Sequence, residues 1–522
     1  MTAPATAPSA LPPFRAIADL AREHAAARPL RTALVHGEHR LSWGELDVLM
    51  DRVAAALQRD GVQPRQSIAI SGANGIAYAV LFLGALRAGV AVAPLPGGAT
   101  PQQLAGMVDD SGARLLFADD AVPALATGVP RIALADLQVI PAQAGIQRNA
   151  PSTVGEWLAP EGTQPDPVDV QPDWPFNIIY SSGTTGSPKG IVQPHGMRWA
   201  HVARAAAGGY GPESVALLAT SLCSNTTLVC FFPALSRGGT VVLTEGRFDA
   251  GAYLRLAERE RATHAMLVPV QYQRLMAHPG FDRFDLSSFV MKFCTSAPFS
   301  AALKADVLKR WPGGLTEYYG MTEGGGTCML FAHEFPDKLH TVGRPAEGHD
   351  IRLIDEDGRE LPPGEIGEVV GRSSAMMTAY RNQPGQTREA EWYDAQGQRF
   401  IRTGDVGRFD ADGFLTLMDR RKDLVISGGF NIYPSDLEAV LREHPAVADV
   451  AVVGVPSAEW GESPAAFVVP HDDAPPPEEL RAWANQRLGK TQRLAGVRYI
   501  AELPRSDIGK VLKRQLRQQY AG

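Results

Sequence analysis

Tyr180-Ser-Ser-Gly-Thr-Thr-Gly-Ser-Pro-Lys-Gly190 packs hydroxyls, glycines and one lysine into a short run. It follows Phe176-Asn-Ile-Ile-Tyr180, which reads as a short buried strand, so the run is expected to leave that strand as a loop. Glycine lets backbone N–H groups turn inward without a Cβ clash, and successive inward N–H groups make an anion-binding concavity. Ser181, Ser182, Thr184 and Thr185 add hydroxyls, and Lys189 adds a mobile positive charge. The guest such a loop suits is a polyphosphate. Gly/Ser/Thr runs are more often surface linkers, but a linker seldom sets a lysine behind an Ile-Ile-Tyr strand. Nor is this the Gly-x-x-x-x-Gly-Lys-[Ser/Thr] loop. Ser187 and Pro188 separate Gly186 from Lys189, and Gly190 stands where that loop needs a hydroxyl.

On either side of the loop, strands alternate with helices. Residues 41–60 read as an amphipathic helix, with a Ser42/Glu45 capping box, an apolar face of Leu46, Leu49, Met50, Val53 and Leu57, and Gly61 to end it. Residues 67–71, 90–94 and 115–117 read as strands, with a helix over 78–87. Beyond the loop, 215–218, 240–243, 265–268 and 289–293 are further strand candidates. This alternation implies parallel sheet with helices on both faces. Residues 139–175 are rich in Pro, Gln and Gly and read as a long connector, with 140–146 as an insertion. From 350 to 417 the helical period gives way to short β pieces with turn signals, which predicts a small β-barrel. Past 419 come a helix opening at Tyr433-Pro-Ser-Asp436, a strand over 447–453 and a helix within 475–487.

A chain of 522 residues exceeds one hydrophobic core. Its 45% hydrophobic and 20% charged residues are ordinary for a soluble globular protein. The net charge of −7 argues against a nucleic-acid partner, while a nucleotide site needs only local positive charge. Cys223, Cys230, Cys294 and Cys328 show no Cys-x-x-Cys spacing, so neither a zinc site nor a disulfide framework is expected, and a reducing cytoplasm suits them. The N-terminus has no basic start followed by an apolar run and reads as a disordered tail rather than a signal peptide. The most apolar window, 77–95, is broken by Arg87 and Gly89, so it predicts a buried helix and strand rather than a membrane span.

Residues 180–190 match throughout the signature [Tyr/Phe]-[Thr/Ser]-Ser-Gly-Thr-Thr-Gly-x-Pro-Lys-Gly, and the chain resembles the adenylate-forming superfamily that carries it: acyl-CoA synthetases, stand-alone adenylation domains and luciferase-like enzymes. The resemblance covers nearly the whole chain. It implies a large N-terminal domain over 1–419, with two parallel β/α subdomains and the small β-barrel, and a smaller mobile α+β C-terminal domain over 420–522. By resemblance the loop, with Ser181, Ser182, Gly183, Thr184, Thr185, Gly186 and Lys189, closes over the β- and γ-phosphates of ATP, Thr185 counting among the catalytic groups. Glu317-Tyr-Tyr-Gly-Met-Thr-Glu323 resembles the family's Tyr-Gly-x-Thr-Glu motif. It implies that Glu317, Tyr318 and Gly320 contact the nucleotide, Tyr319 packs on adenine, Thr322 touches the α-phosphate and Glu323 binds Mg²⁺. Ser296, Ala297 and Pro298 resemble the adenine wall.

Three C-terminal motifs follow the same resemblance. Asp405 of Arg402-Thr-Gly-Asp405 falls on the ribose ligand, with Arg420 beside it. Lys422 falls on the hinge, and Gly428 and Gly429 line the thiol tunnel. Lys510 of Pro504-Arg-Ser-Asp-Ile-Gly-Lys510 falls on the catalytic lysine, which bridges the attacking carboxylate and the α-phosphate. Two stretches depart from the family's pattern. Where many relatives have Pro-Leu-Tyr-His at the acyl pocket, this chain has Ser221-Leu-Cys-Ser-Asn-Thr-Thr227, so Ser224 or Asn225 replaces the histidine. Gly324 and Gly325 join them as pocket residues and suggest a roomy pocket. At Lys490-Thr-Gln-Arg-Leu494 the aromatic and proline of many CoA ligases are gone, though Arg493 keeps a charge for a CoA phosphate; Trp460 resembles part of the pantetheine path. The implied activity is ATP-dependent carboxylic acid–CoA ligation, with ATP, Mg²⁺ and CoA, no nucleic acid, and a chain compatible with a homodimer. The alternatives are loading of a carrier-protein pantetheine and closure of a β-lactone. A non-catalytic nucleotide-binding regulator, the reading from another class, is opposed by the intact Lys189, Glu323 and Lys510.

Overall fold

The computed structural model describes residues 11–134, 153–181, 188–420, 423–427, 430–457, 460–489, 492–506 and 509–521. The chain divides into two compact units. The first comprises Met1–Leu339, Pro345–Asp350 and Gly371–Ile401, and the second His340–Arg344, Ile351–Val370 and Arg402–Gly522.

The first unit is mixed α/β. One sheet runs in the order Ala379–Tyr380, Lys189–Pro194, Pro175–Ser181, Ala91–Leu95, Ser67–Ser71, Ala113–Ala118, Arg131–Ala133. Its inner strands are parallel, whereas Lys189–Pro194 returns antiparallel to Pro175–Ser181, and Ala379–Tyr380 pairs antiparallel with that return strand. A second sheet carries the parallel strands Val215–Leu218, Thr240–Leu243, His264–Leu267, Met291–Cys294 and Gly314–Tyr319, with Cys328–Phe331 antiparallel to the last. The helix Trp43–Arg59 starts where the capping box predicts. Ser42 Oγ accepts the Glu45 N–H at 3.3 Å, and the Glu45 carboxylate accepts the Ser42 N–H at 2.8 Å.

The apolar window is a buried helix, Ile76–Arg87, followed by the strand Ala91–Leu95. Arg87 ends that helix on Asp47 and Asp51, at 2.5 and 2.7 Å. Phe82, Phe176 and Phe232 pack edge to face or tilted, at centroid separations of 4.9–6.0 Å. Phe176 thereby anchors the strand that leads to the glycine-rich loop. Among the described residues no helix is long and apolar enough to cross a membrane.

The connector expected over 139–175 is only partly a loop. The insertion read at 140–146 lies outside the described residues. The part from 153 onward holds the short helix Val154–Trp157, and Trp157 is buried with its indole N–H donating to Asp60 at 2.6 Å. Composition reported the Pro and Gln content but missed this anchor.

The small β-barrel expected over 350–417 takes the form of a sheet in which Gly367–Arg372, Arg399–Phe409 and Leu415–Arg420 are neighbours, the last two antiparallel. The C-terminal part is α+β. Val447–Ser457 and Gly461–Pro470 form a long antiparallel pair, and Gly496–Tyr499 adds parallel to the second. Both faces of this sheet are covered. Val450, Val452 and Val468 meet Leu437, Leu441 and Leu480 on one face, and Ala451, Val453 and Phe467 meet Leu503 and Leu516 on the other. Coverage on both faces explains why the strand reads as a continuous apolar run.

Candidate active site

The antiparallel register sets Ser181 opposite Lys189, so the intervening loop hangs from two adjacent strand ends. Residues 182–187, and with them Ser182, Gly183, Thr184, Thr185 and Gly186, lie outside the described residues. Gly190 is closely packed. A Cβ there would stand 3.0–3.1 Å from the Tyr180 ring, the Arg381 Cβ and the Asp110 carboxylate. Tyr180 is itself fixed, its hydroxyl donating to Asp110 at 2.7 Å.

Lys189 and Glu323, far apart in sequence, meet on either side of one tyrosine. Lys189 Nζ lies 5.1 Å from the Tyr380 ring centroid, and the Tyr380 hydroxyl donates to Glu323 Oε1 at 2.7 Å. The Met377 N–H donates to the Glu323 carbonyl at 2.8 Å. Burial and the neighbouring Glu323 push the Tyr380 phenol well above its usual value, so it stays a donor. Sequence reasoning missed Tyr380. It sits in no motif, and only its strand pairing, Tyr380 opposite Ile191, brings it to the site.

The strands Met291–Cys294 and Gly314–Tyr319 are parallel, with Cys294 opposite Glu317, so the two candidate nucleotide segments leave side by side at their C-terminal ends. Ligands of open α/β sheets gather at such ends. Thr295 Oγ1 donates to the Tyr318 carbonyl at 2.8 Å. Ser296, which Ala297 and Pro298 follow, holds a left-handed φ of 82° that a serine rarely adopts, and its hydroxyl bonds Thr226 Oγ1 at 2.6 Å. Alternation along the strand sends Tyr318 onto Phe293, stacked at 5.5 Å, and Tyr319 to the other face. Gly320 follows at the exposed turn. Glu317 is buried in an ion pair with Lys304, and burial raises its carboxyl to about 7. That carboxylate ties its strand to the helix Ala301–Arg310.

Ser224 caps the helix Asn225–Ser236, its hydroxyl accepting the Thr226 N–H at 3.2 Å. Asn225 Oδ1 accepts from Arg198 Nη2 at 2.8 Å, and Gln193 Nε2 donates to the Thr322 carbonyl at 2.6 Å. Gln193 and Arg198 were also missed, because they lie on a strand and a helix without a motif. Gly324 and Gly325, expected among the pocket residues, lie close against main chain. Both have left-handed φ, 77° and 90°, and a Cβ on Gly324 would overlap the Ala375 carbonyl, while one on Gly325 would stand 2.7 Å from the Gly371 carbonyl. Main chain fills the space those side chains would take.

In the second unit, the backbone register sets Asp405 opposite Arg420. The Asp405 N–H donates to Thr403 Oγ1 at 3.0 Å, and Arg402 makes a two-pronged pair with Glu368 at 3.2 and 2.5 Å. Lys422, Gly428 and Gly429 lie outside the described residues. Trp460 is exposed at the start of the strand Gly461–Pro470, and Arg493 is exposed ahead of Gly496–Tyr499. Lys510 sits in a turn tied to itself. Its N–H donates to Ser506 Oγ at 3.2 Å, the Ser506 N–H donates to its carbonyl at 2.8 Å, and Gly509 supplies a φ of 77°. Arg505 fastens the turn to Asp449 at 2.6 Å.

Known proteins resemble this chain over nearly its whole length. The family described as AMP-binding enzyme matches residues 21–381, and the AMP-binding enzyme C-terminal domain matches residues 436–510. The chain is 35% identical to a feruloyl-CoA synthase from Amycolatopsis sp over 94% of its own length and 96% of that protein. It is 32% identical to 4-coumarate–CoA ligase 5 from Oryza sativa subsp. japonica, over 98% and 96%. The amide bond synthetase McbA from Marinactinospora thermotolerans superposes with a TM-score of 0.83 at 29% identity, over 97% of this chain and 99% of that one.

Proposed function

The chain belongs to the AMP-binding enzyme family, and on that premise we propose that it is an ATP-dependent carboxylic acid–CoA ligase. The carrying observation is that Lys189, beside the glycine-rich loop, and Glu323, of the Tyr-Gly-x-Thr-Glu motif, converge on Tyr380. In the first half-reaction a carboxylate oxygen attacks the α-phosphorus of ATP, the bond to the β-phosphate breaks, and pyrophosphate leaves. In the second, the CoA sulfur attacks the acyl carbonyl and AMP leaves with the bonding pair.

Both reactants of the first step are anions, so the site must neutralise charge where it develops. Lys189 and the loop take the β- and γ-phosphates. Glu323 fits a divalent cation shared with the phosphates, since Tyr380 uses one carboxylate oxygen and leaves the other, and Mg²⁺ is usually held by one or two carboxylates plus phosphates. Such an ion would supply further neutralisation. Tyr319 and the Ser296–Pro298 segment take adenine, with Glu317, Tyr318 and Gly320 shaping that wall. Thr322 takes the α-phosphate, Asp405 and Arg420 the ribose, and Lys510 the approach of carboxylate to phosphorus. Gly428, Gly429, Trp460 and Arg493 line the route of CoA, and a boundary at 419/420 with a hinge at Lys422 lets Lys510 and the thiol route take turns. The four cysteines are free thiols.

The test is pyrophosphate release with a panel of acids, beginning with ferulate and 4-coumarate because those acids appear in the relatives' names, and including indoleacetate and octanoate. Release with at least one acid, and thioester on adding free CoA, is expected. No release with any acid would sink the reading. Release followed by thioester only on a carrier-protein pantetheine would replace CoA as the acceptor.

A further inference from the structure

Arg198, on the helix His195–Ala203, is 1% exposed, yet its acceptors are neutral. Nη2 donates to Asn225 Oδ1 at 2.8 Å and to Gln193 Oε1. Among the described residues, Nε and Nη1 have no hydrogen-bond partner. The Phe176 ring lies 5.7 Å away, and His201, one turn on, is kept neutral by burial and by Arg198 itself. The carboxylates of the site are engaged elsewhere, Glu317 with Lys304 and Glu323 with Tyr380. Burial lowers the guanidinium to about 9, which leaves it cationic at neutral pH. A buried charge with no counter-ion is strongly unfavourable. Had the protein needed only a donor to two amides, a neutral residue would serve without that penalty.

Both acceptors point back to the candidate site. With Gln193 Oε1 on Arg198, its amide N–H reaches the Thr322 carbonyl at 2.6 Å. With Asn225 Oδ1 on Arg198, the Asn225 NH₂ is turned the other way. Asn225 also opens a twelve-residue helix whose N-terminal end is electropositive.

We infer that Arg198 is a positioning residue for the acid substrate: its uncompensated charge favours the reacting carboxylate as an anion, and its fork fixes the Asn225 amide as the donor that meets it. This rests on the ligase reading and goes beyond it by naming a second group, besides Lys510, that answers the acid's charge.

The experiment compares binding of 4-coumarate with 4-coumaramide, and of octanoate with octanamide, by calorimetry in the presence of a non-hydrolysable ATP analogue. Wild-type protein should favour the carboxylate. Arg198→Met should cut that preference about 10- to 100-fold, the scale of a lost hydrogen bond to a charged group. The KM for the acid should rise with it, while the KM for ATP stays within about twofold. Arg198→Lys should keep part of the preference and lose kcat, since charge remains and the fork does not. If Arg198→Met does not fold, Arg198→Gln, neutral but still a donor, reads the same ratio. An unchanged carboxylate-to-amide ratio in the neutral variant, or equal rises in both KM values, overturns the assignment. Binding is read without turnover, so a wild-type protein that releases no pyrophosphate fails the ligase reading while the ratio still decides Arg198.

Discussion

Tyr380 shows how one side chain can make two distant motifs into a site. Its ring faces Lys189 and its hydroxyl holds Glu323. Tyr380→Phe keeps the ring and removes only the donor. A hydrogen bond to a charged group is worth about 1.5–3 kcal/mol, so kcat/KM for adenylation should fall about 10- to 100-fold, with little change in melting temperature. Steady-state pyrophosphate release at several Mg²⁺ concentrations checks this, and wild-type kinetics at every concentration would remove Tyr380 from the site. Burial keeps the phenol protonated, so no new pH limb should vanish with it. The glycine-rich loop and the Tyr-Gly-x-Thr-Glu segment were legible from sequence because each keeps its chemistry within one contiguous run. Tyr380, Gln193 and Arg198 were not, because their meaning depends on which strand and helix fold against those runs.

At the scale of elements, period and capping read well. The capping box at Ser42 and the strands Ser67–Ser71, Val215–Leu218 and Thr240–Leu243 stand where the pattern puts them. What the sequence could not tell is whether a missing side chain leaves a void. At Gly324 the answer is main chain, since the Gly325 N–H donates to the Ala375 carbonyl at 2.9 Å and a Cβ on Gly324 would overlap that carbonyl. Gly324→Ala combines a left-handed conformation, costing about 1–2 kcal/mol, with a clash that must move one of the two segments. The melting temperature should drop by several degrees, and adenylation should fall with it, because the next residue back is Glu323. A variant that melts like wild type would mean the two segments can part freely. Gly190 is a milder case, close against the side chains of Tyr180, Arg381 and Asp110 rather than overlapping main chain.

For the whole molecule, two properties follow from how charge is distributed. Burial holds His195 and His349 at about 3 and His264 at about 4, and keeps His201 low. Their folded values lie below the unfolded value of about 6.5. Their contribution to stability is therefore full above that pH and is lost as pH falls toward 3–4, each histidine removing up to about 1.4 kcal/mol per pH unit. Glu317, raised to about 7, opposes them with the reverse sign between its unfolded value and 7. Asp119 and Asp436, raised by burial, act in the same sense as Glu317. Four histidines against these three carboxyl groups predict a melting temperature that falls between pH 6.5 and pH 5, and a flat profile there would mean the histidines are not held neutral. The second is the division of labour between half-reactions that the proposed function gives Lys510. Lys510 lies in a turn held by its own main chain, by Ser506 and by the Arg505–Asp449 pair, so truncating its side chain leaves that scaffold intact. A loss in Lys510→Ala then reports chemistry rather than folding. If Lys510 answers the charge between carboxylate and α-phosphate, adenylation should fall on the order of 10²- to 10³-fold, as removal of one charge-stabilising donor commonly does. ATP binding should change little, since Lys189, Glu323 and Asp405 remain. Supplying synthetic acyl-adenylate with CoA bypasses the first half-reaction. Thioester should then form at near wild-type rate if Lys510 swings out of the site for the thiol-accepting half-reaction. Equal losses in both assays would show that Lys510 serves both steps or the fold, and that a hinge at Lys422 separating them is not part of this enzyme's cycle.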